Sequence, residues 1–263
     1  MTSVSTASTP TTVAAAATTA TSPGATLEPG TMRARLAACT ACHGEQGRAG
    51  ADGYYPRLAG KPRDYLYHQL LNFRDGRRQY QPMAHLLRDL PDAYLHDIAT
   101  WFSNQHPPYP SPAATPIDAA QMARGYQLVH QGDAARKLPA CSACHGAALS
   151  GVLPAIPGLL GLPRDYIGAQ IGSWQSGLRR AAAPDCMADI ARRLEPADVA
   201  AVAAWLSAQP VPQGNTPASA VALAQDAMAT QAGVSGADAG GYRPAPADSL
   251  TLPVQCGSQE HVR

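Results

Sequence analysis

An internal repeat constrains the fold of this chain more than any other feature. The segment Cys-Thr-Ala-Cys-His-Gly at Cys39–Gly44 returns as Cys-Ser-Ala-Cys-His-Gly at Cys141–Gly146. The segment Pro56–Tyr65 likewise returns at Pro157–Tyr166. Further matched pairs are Gln69 and Gln170, Phe73 and Trp174, Arg78 and Arg179, Met83 and Met187, and Trp101 and Trp205. A chain of 263 residues therefore holds two copies of one small unit, each long enough for its own core.

The composition around the copies predicts five segments. They are a flexible leader (1–30), a first domain (31–106), a Pro-rich linker (107–116), a second domain (117–209) and a low-complexity tail (210–263). Five prolines follow His106 up to Pro116, which predicts an extended, stiff linker. The leader has no Lys or Arg before Arg33 and matches a secretory signal poorly. Two interpretations stay open for it: a stretch without function, or a chain whose natural signal was removed.

The periodicity within each copy is helical. Apolar residues fall on one face of Asp92–Gln105, and the pattern recurs over Ala197–Gln209. Further helices are predicted over Asp64–Gly76, Asp165–Gly177 and Ile117–Gln131. No stretch predicts a strand, so the expected fold class is all-α.

The two Cys-x-x-Cys-His motifs carry the chemistry. This spacing is typical of c-type haem attachment, in which both thiols reach the vinyl groups of one haem and the histidine ligates the iron. The expected attachment residues are Cys39 with Cys42 and Cys141 with Cys144, and the expected iron ligands are His43 and His145. A four-cysteine zinc site is the competing interpretation, although the pairs are far apart in the sequence. A thioredoxin-like redox pair is disfavoured because no βαβ pattern surrounds either motif.

Each iron needs a sixth ligand or an open position. Met83 and Met187 follow the two histidines at nearly equal distances, in stretches that look irregular and lie between predicted helices. Their matched positions predict one thioether ligand per haem, which raises the reduction potential and closes the iron to small ligands. His85 is the one plausible substitute ligand among the other histidines.

These motifs resemble the dihaem cytochromes of the cytochrome c4 family, over roughly residues 32–209. The resemblance implies two class I cytochrome c domains in tandem, each wrapped around one covalently bound haem and related by a pseudo-twofold. It implies that the carbonyls of Pro56 and Pro157 orient the histidines, and that Arg78 and Arg179 lie near haem propionates. It also implies two haem c groups with iron and electron transfer in the bacterial periplasm toward terminal oxidases.

Charge and hydropathy limit the partners. The formal net charge of +1 gives no strong attraction to nucleic acid. The first domain has ten basic and seven acidic residues, a net of +3, and the second has eight and seven. No stretch approaches the ~18 apolar residues of a membrane-spanning helix, so any membrane association is expected to be peripheral, through a partner.

The expected function is single-electron transfer between a quinol-oxidising complex, such as a cytochrome bc complex, and a terminal oxidase. The alternative is a dedicated electron-accepting subunit of a periplasmic dehydrogenase. An enzyme, either a dihaem peroxidase or a thiosulfate dehydrogenase, is disfavoured because two methionine ligands leave no open iron, although Cys186 could serve as a cysteine ligand. We therefore expect an electron carrier rather than an enzyme. Haem attachment is completed outside the cytoplasm, which predicts a periplasmic location.

Two cysteines remain outside the haem motifs. Cys186 adjoins Met187, and Cys256 lies in the tail. In an oxidising compartment they could form a disulfide that holds the tail across the second haem site. They could equally be two unrelated thiols, and the sequence leaves both options open.

Overall fold

The computed structural model describes residues 28, 30–50, 53–112, 117–212, 214–219 and 256–259. Below, "first half" means the described residues up to 106, and "second half" means those from 117 onward. Nearly all of the predicted leader and most of the predicted tail lie outside the described residues. The domain boundaries drawn from the sequence stay predictions.

The described residues are mostly helical. The first half contains α1 (Met32–Arg35), α2 (Ala37–His43), α3 (Arg63–Arg74), α4 (Gln81–Leu87) and α5 (Asp92–Ser103). The second half contains α6 (Ala119–His130), α7 (Ser142–His145), β1 (Gly151–Val152), β2 (Ile156–Pro157), α8 (Arg164–Gln175), α9 (Cys186–Arg193) and α10 (Pro196–Ala208). Short 3₁₀ turns occur at Glu45–Gly47, Ala134–Arg136 and Gly257–Gln259.

The long helices form where the periodicity predicts them. α5 starts after Pro91 and buries Leu95, Ile98, Ala99 and Phe102 along one face. α10 begins with a capping box in which the Glu195 and Asp198 side chains each bind the other residue's backbone. Both helices therefore follow from apolar spacing together with a start signal at the first turn.

Each half has its own hydrophobic core. The first core gathers Leu36, Leu66, Phe73, Leu87, Leu95, Ile98, Ala99 and Phe102. The second gathers Leu128, Val129, Leu138, Leu149, Leu160, Ile167, Ile171, Ala191, Val202, Ala203 and Leu206. In the second half α6 crosses α10 so closely that a Cβ on Gly125 would collide with the Ala201 carbonyl oxygen. Two separate cores are consistent with two tandem domains.

A small hairpin corrects the expectation of no strands. β1 and β2 pair antiparallel, with Gly151 opposite Pro157 and Val152 opposite Ile156. Tail residue Ala218 extends this hairpin, because its N–H donates to the Gly151 carbonyl and its carbonyl accepts from the Leu153 N–H. Two-residue strands are too short to leave an alternating pattern in the sequence, so periodicity could not reveal them.

Arg57 ties the described part of the linker to the first half, and Tyr109 of the linker contacts the second half. The buried side chain of Arg57 donates to the backbone carbonyls of Ala59, Pro107 and Pro108. Its guanidinium carbon also lies 3.8 Å from the centre of the Tyr109 ring. Tyr109 in turn lies against Gly161 of the second half. The linker is thus held at the junction between the two halves.

Candidate functional site

The first candidate site is built on α2 and the chain that follows it. α2 carries Cys39, Cys42 and His43, and it is followed by Gly44, whose positive φ of 75° turns the backbone away from the helix. His43 is only 6% exposed. Its Nδ1 lies 2.9 Å from the Pro56 carbonyl oxygen.

The second candidate site repeats this arrangement. α7 carries Cys144 and His145, with Cys141 at its N-cap and Gly146 at its C-cap with φ of 83°. His145 is 8% exposed, and its Nδ1 lies 2.7 Å from the Pro157 carbonyl oxygen. The proline contacts expected from the resemblance are therefore present in both halves.

The electrostatics of both sites favour neutral imidazoles. Burial lowers the pKa of His43 and of His145, and the proline carbonyl opposes this only in part. A carbonyl can only accept a hydrogen bond, so Nδ1 carries the proton in each ring. Nε2 is then left with a lone pair, which is the form of histidine that binds a metal.

Burial favours the thiol form of three of the four motif cysteines. Burial raises the pKa of Cys141 and of Cys144 to about 11, and it also raises the pKa of Cys39. None of the four forms a disulfide. Two thiols beside one neutral, oriented histidine make a donor set that fits a covalently attached haem in each half.

The competing zinc interpretation is wrong. All four motif cysteines are described, and they lie in different halves around different cores. Among the described residues no three His, Cys, Asp or Glu side chains come together as a metal site. A tetrahedral site needs its four ligands around one ion, and this fold keeps the two cysteine pairs apart.

The candidate methionines lie in helices, which corrects the expectation of irregular segments. Met83 is in the first turn of α4, and Met187 is the second residue of α9. Both are half-buried, and Met83 packs against the first core. Pro82 and Pro184 made these segments look irregular, but Pro82 is at the start of α4, where proline is tolerated, and Pro184 precedes α9.

The substitute ligand and the other histidines are placed as follows. His85 is exposed in the last turn of α4. His68 is half-buried on α3, and burial lowers the pKa of its ring. His261 lies outside the described residues.

The two halves meet through an exchange of contacts around Arg78 and Arg179. These residues form an antiparallel bridge, flanked by backbone hydrogen bonds from Gln79 N–H to the Leu178 carbonyl (2.7 Å) and from Arg180 N–H to the Arg77 carbonyl (2.8 Å). Both arginines therefore lie at the contact between the halves. Equivalent segments pair with each other, which is the pattern of a twofold-related contact.

The arginine side chains repeat this exchange. Arg78 donates to Gln69 of its own half (3.0 Å) and to Gln170 across the contact (2.6 Å). Arg179 donates to Gln170 of its own half (2.8 Å) and to Gln69 across the contact (3.0 Å). Each guanidinium also stacks on the aromatic residue at the matched position, Phe73 or Trp174.

Two tyrosines complete the contact and were not singled out from the sequence. Arg179 donates to the Tyr65 hydroxyl (3.2 Å), and Arg78 donates to the Tyr166 hydroxyl (3.4 Å). Burial alone would raise the pKa of Tyr65, but the cations of Arg179, Arg78 and Lys61 lower it to about 8. Both tyrosines belong to the repeated Pro-Arg-Asp-Tyr segment, so the repeat was the signal that could have found them.

Known proteins share this arrangement over most of the described chain. The chain is 40% identical over 175 residues to a thiosulfate dehydrogenase electron acceptor of Thiomonas intermedia, covering 66% of this chain and 80% of that protein. It is 32% identical over 176 residues to a cytochrome c4 of Pseudomonas aeruginosa, covering 66% of this chain and 85% of that protein. The chain belongs to the dihaem cytochrome c4 family. No protein-family model matches this cytochrome.

Solved structures agree with this assignment. Reduced cytochrome c4 from Pseudomonas stutzeri superposes with a TM-score of 0.59 at 28% identity, covering 68% of this chain and 96% of that one. A thiosulfate dehydrogenase from Marichromatium purpuratum superposes with a TM-score of 0.60 at 29% identity. The match covers 67% of this cytochrome but only 37% of that longer chain.

The family carries two haem c groups, and this cytochrome therefore binds two haem c with iron. Bound haem c supplies one-electron Fe(III)/Fe(II) chemistry. The donor sets described above fit one haem in each half, and they make the protein an electron-transfer cytochrome. No helix among the described residues is long and apolar enough to cross a membrane.

Proposed function

We propose that this cytochrome accepts electrons from a thiosulfate dehydrogenase in the periplasm and passes them on one at a time. The observation that carries the proposal is a difference in sequence identity between two groups of relatives. Two relatives named thiosulfate dehydrogenase electron acceptors, from Thiomonas intermedia and Stutzerimonas stutzeri, are 40% and 35% identical. Relatives named cytochrome c4 are 29% to 32% identical.

The proposed iron ligands are His43 with Met83 and His145 with Met187. Oriented, neutral histidines and half-buried methionines at matched repeat positions support this assignment. Histidine and methionine together raise the reduction potential and leave no open coordination position. Such irons carry electrons and do not activate a small substrate, which favours an electron carrier over a peroxidase or a thiosulfate-oxidising enzyme.

The proposed path for the electron crosses the contact between the halves. The haem propionates would lie near Arg78 and Arg179, whose guanidinium groups suit carboxylate partners. Each arginine already spans the two halves through glutamine and tyrosine. A rigid contact of this kind would hold the two haems at a fixed separation, so that an electron can cross from one haem to the other within the molecule.

A second candidate function is the shuttle between a cytochrome bc complex and a terminal oxidase. Its support is the likeness to cytochrome c4 proteins, including the solved structure that this chain covers almost completely. Both candidates place the protein in the periplasm, with membrane association only through a partner. They differ in the electron donor alone.

Stopped-flow reduction of the oxidised holoprotein separates the two candidates. One syringe holds thiosulfate with thiosulfate dehydrogenase, and a parallel experiment uses a quinol with a cytochrome bc complex. We expect both haems to be reduced at least about tenfold faster by the dehydrogenase, since a specific donor docks by complementary charge. Thiosulfate without enzyme is the control. Faster reduction by the quinol system would contradict the proposal and support the shuttle.

A further inference from the structure

The end of the described tail is joined covalently to the segment that carries Met187. Cys186, the first residue of α9, forms a disulfide with Cys256, and their Cα atoms lie 5.1 Å apart. The sequence left this pairing open, and the structure selects it over two separate thiols. The disulfide joins residues 70 positions apart, so the tail returns to the second half.

The contact around the disulfide extends beyond the sulfur atoms. The Gly257 N–H donates to the Pro184 carbonyl oxygen at 3.0 Å. A Cβ on Gly257 would collide with the Ala183 carbonyl oxygen, so only glycine allows the two backbones to approach this closely. The Gln259 N–H then closes a 3₁₀ turn on the Cys256 carbonyl at 3.0 Å. This tail segment is therefore seated on residues 183–186.

The same segment is held from the other side by Asp185. One carboxylate oxygen accepts from the Ala188 N–H at 3.0 Å and caps α9. The other oxygen accepts from the Ala181 N–H at 2.7 Å. The start of α9, including Met187, is thus fixed both by the chain before it and by the tail.

At the matched position, the described residues of the first half have neither a disulfide nor a side-chain cap on the helix. Pro82 stands where Cys186 stands in the second half, and the N-cap of α4, Tyr80, makes no side-chain capping hydrogen bond. Within the described residues the disulfide of Cys186 has no counterpart near Met83. The two proposed methionine ligands are therefore supported unequally.

We propose that Cys186, Cys256 and Gly257 are positioning residues that hold the Met187 thioether on the second haem. This proposal rests on the ligation by Met187 proposed above. We call the contact of Cys256 and Gly257 with residues 183–186 the clamp. It makes dissociation of Met187 from iron rarer than dissociation of Met83. The second haem then keeps its sixth ligand under conditions in which the first haem exchanges its own.

Cyanide binding to the oxidised holoprotein measures this difference, because cyanide can bind only when the methionine has left the iron. We expect two kinetic phases, with the second haem slower by about tenfold or more, since local opening limits ligand exchange. The variant Met187→Ala assigns the phases by removing the slow one. The double variant Cys186→Ser/Cys256→Ser should speed the slow phase toward the rate of the first haem.

Two further variants keep the test independent of folding. Gly257→Ala leaves both cysteines in place, but its Cβ would collide with the Ala183 carbonyl oxygen and push the tail segment away. This variant should therefore also speed the slow phase. Ser258→Ala changes the neighbouring side chain and should leave both phases unaltered. Mass spectrometry of the unreduced, digested protein should show a peptide linking Cys186 to Cys256.

The outcomes separate the clamp from the ligation it depends on. If Met187→Ala halves the Fe(III)–thioether absorption but the cysteine variants leave the slow phase unchanged, the clamp is wrong and the ligation stands. If Met187→Ala leaves that absorption intact, the ligation is wrong and the clamp fails with it. Alkylation of both cysteines without reductant would overturn the clamp directly.

Discussion

The first and second halves share a haem-attachment signature but differ in the structure that surrounds it. In the first half the signature lies in α2 and is preceded by the short helix α1, and salt bridges of this half such as Arg33–Glu45 and Arg74–Asp92 have an exposed partner. In the second half it is preceded by the long helix α6 and packs against the hairpin, and this half also contains a partly buried ionic network and a disulfide. The local motif is enough to build the histidine–proline pair twice, and the remaining structure sets how firmly each site is held.

The largest difference in stability should come from the disulfide. For a loop of this length the chain-entropy estimate is roughly 4 kcal/mol, and Cys186→Ser/Cys256→Ser should lower the free energy of unfolding by up to that amount. Denaturant titration followed by far-ultraviolet circular dichroism measures the loss. A change below about 1 kcal/mol would mean that the disulfide adds little to the support of the second half.

The next largest difference should come from Asp198. Its side chain is 6% exposed and accepts from Arg124 (2.9 Å) and Arg136 (2.6 Å), which also contact Asp133. Asp198→Ala removes the most buried carboxylate that pairs with these two partly buried cations, together with its bond to the Glu195 N–H at the start of α10, and should cost about 2 to 4 kcal/mol. The control is Asp92→Ala in the first half, where the carboxylate is 65% exposed and the expected loss is below about 1 kcal/mol. Equal losses would remove this distinction between the halves.

The same network predicts acid sensitivity. Burial alone would raise the pKa of Asp198, but hydrogen bonds from Arg136 and Arg124 lower it below its usual value near 4. Hydrogen bonds from Arg124 and Arg136 also lower the pKa of Asp133. The stabilisation is therefore complete above about pH 4 and is lost as the pH falls through the lower, folded-state values. Unfolding titrations between neutral pH and strong acid should show this loss, and Asp198→Asn should flatten it.

The smallest predicted effect concerns the contact between the halves, to which each half contributes the same set of arginine and glutamine hydrogen bonds. Arg78→Ala and Gln170→Ala should show a coupling energy of about 1 to 2 kcal/mol in a double-mutant cycle on unfolding. Arg180→Ala is the control, because its side chain is exposed and only its backbone bonds across the contact. Additive effects of Arg78→Ala and Gln170→Ala would mean that their hydrogen bond does not join the halves.

The repeat and the helical periodicity predicted most of the fold. Long apolar faces such as that of α5 depend on local spacing, and the repeat marks Arg78 and Arg179 as equivalent positions before the structure shows that they meet. The Cys-x-x-Cys-His spacing likewise predicts its chemistry, because both thiols and the imidazole belong to one helical turn.

What the sequence missed depends on contacts between distant segments. The hairpin is stabilised by Ala218, far along the chain, and the start of α9 is contacted by Gly257. The disulfide of Cys186 with Cys256 was one of two options that the sequence left open, and only the structure decides between them. The role of Arg57 could not be predicted either, because its matched position in the second copy is Gly158 and no repeat signal marks it. Such pairings are decided by tertiary structure and leave no local pattern.

Potentiometric titration with optical detection tests the central claim most directly. The holoprotein should take up two electrons, one per haem, and its oxidised form should show Fe(III)–thioether absorption from both haems. Met83→Ala and Met187→Ala should each remove about half of that absorption and lower the potential of one haem only. A single one-electron step, or a spectrum that neither substitution changes, would contradict the account of two histidine- and methionine-ligated haems.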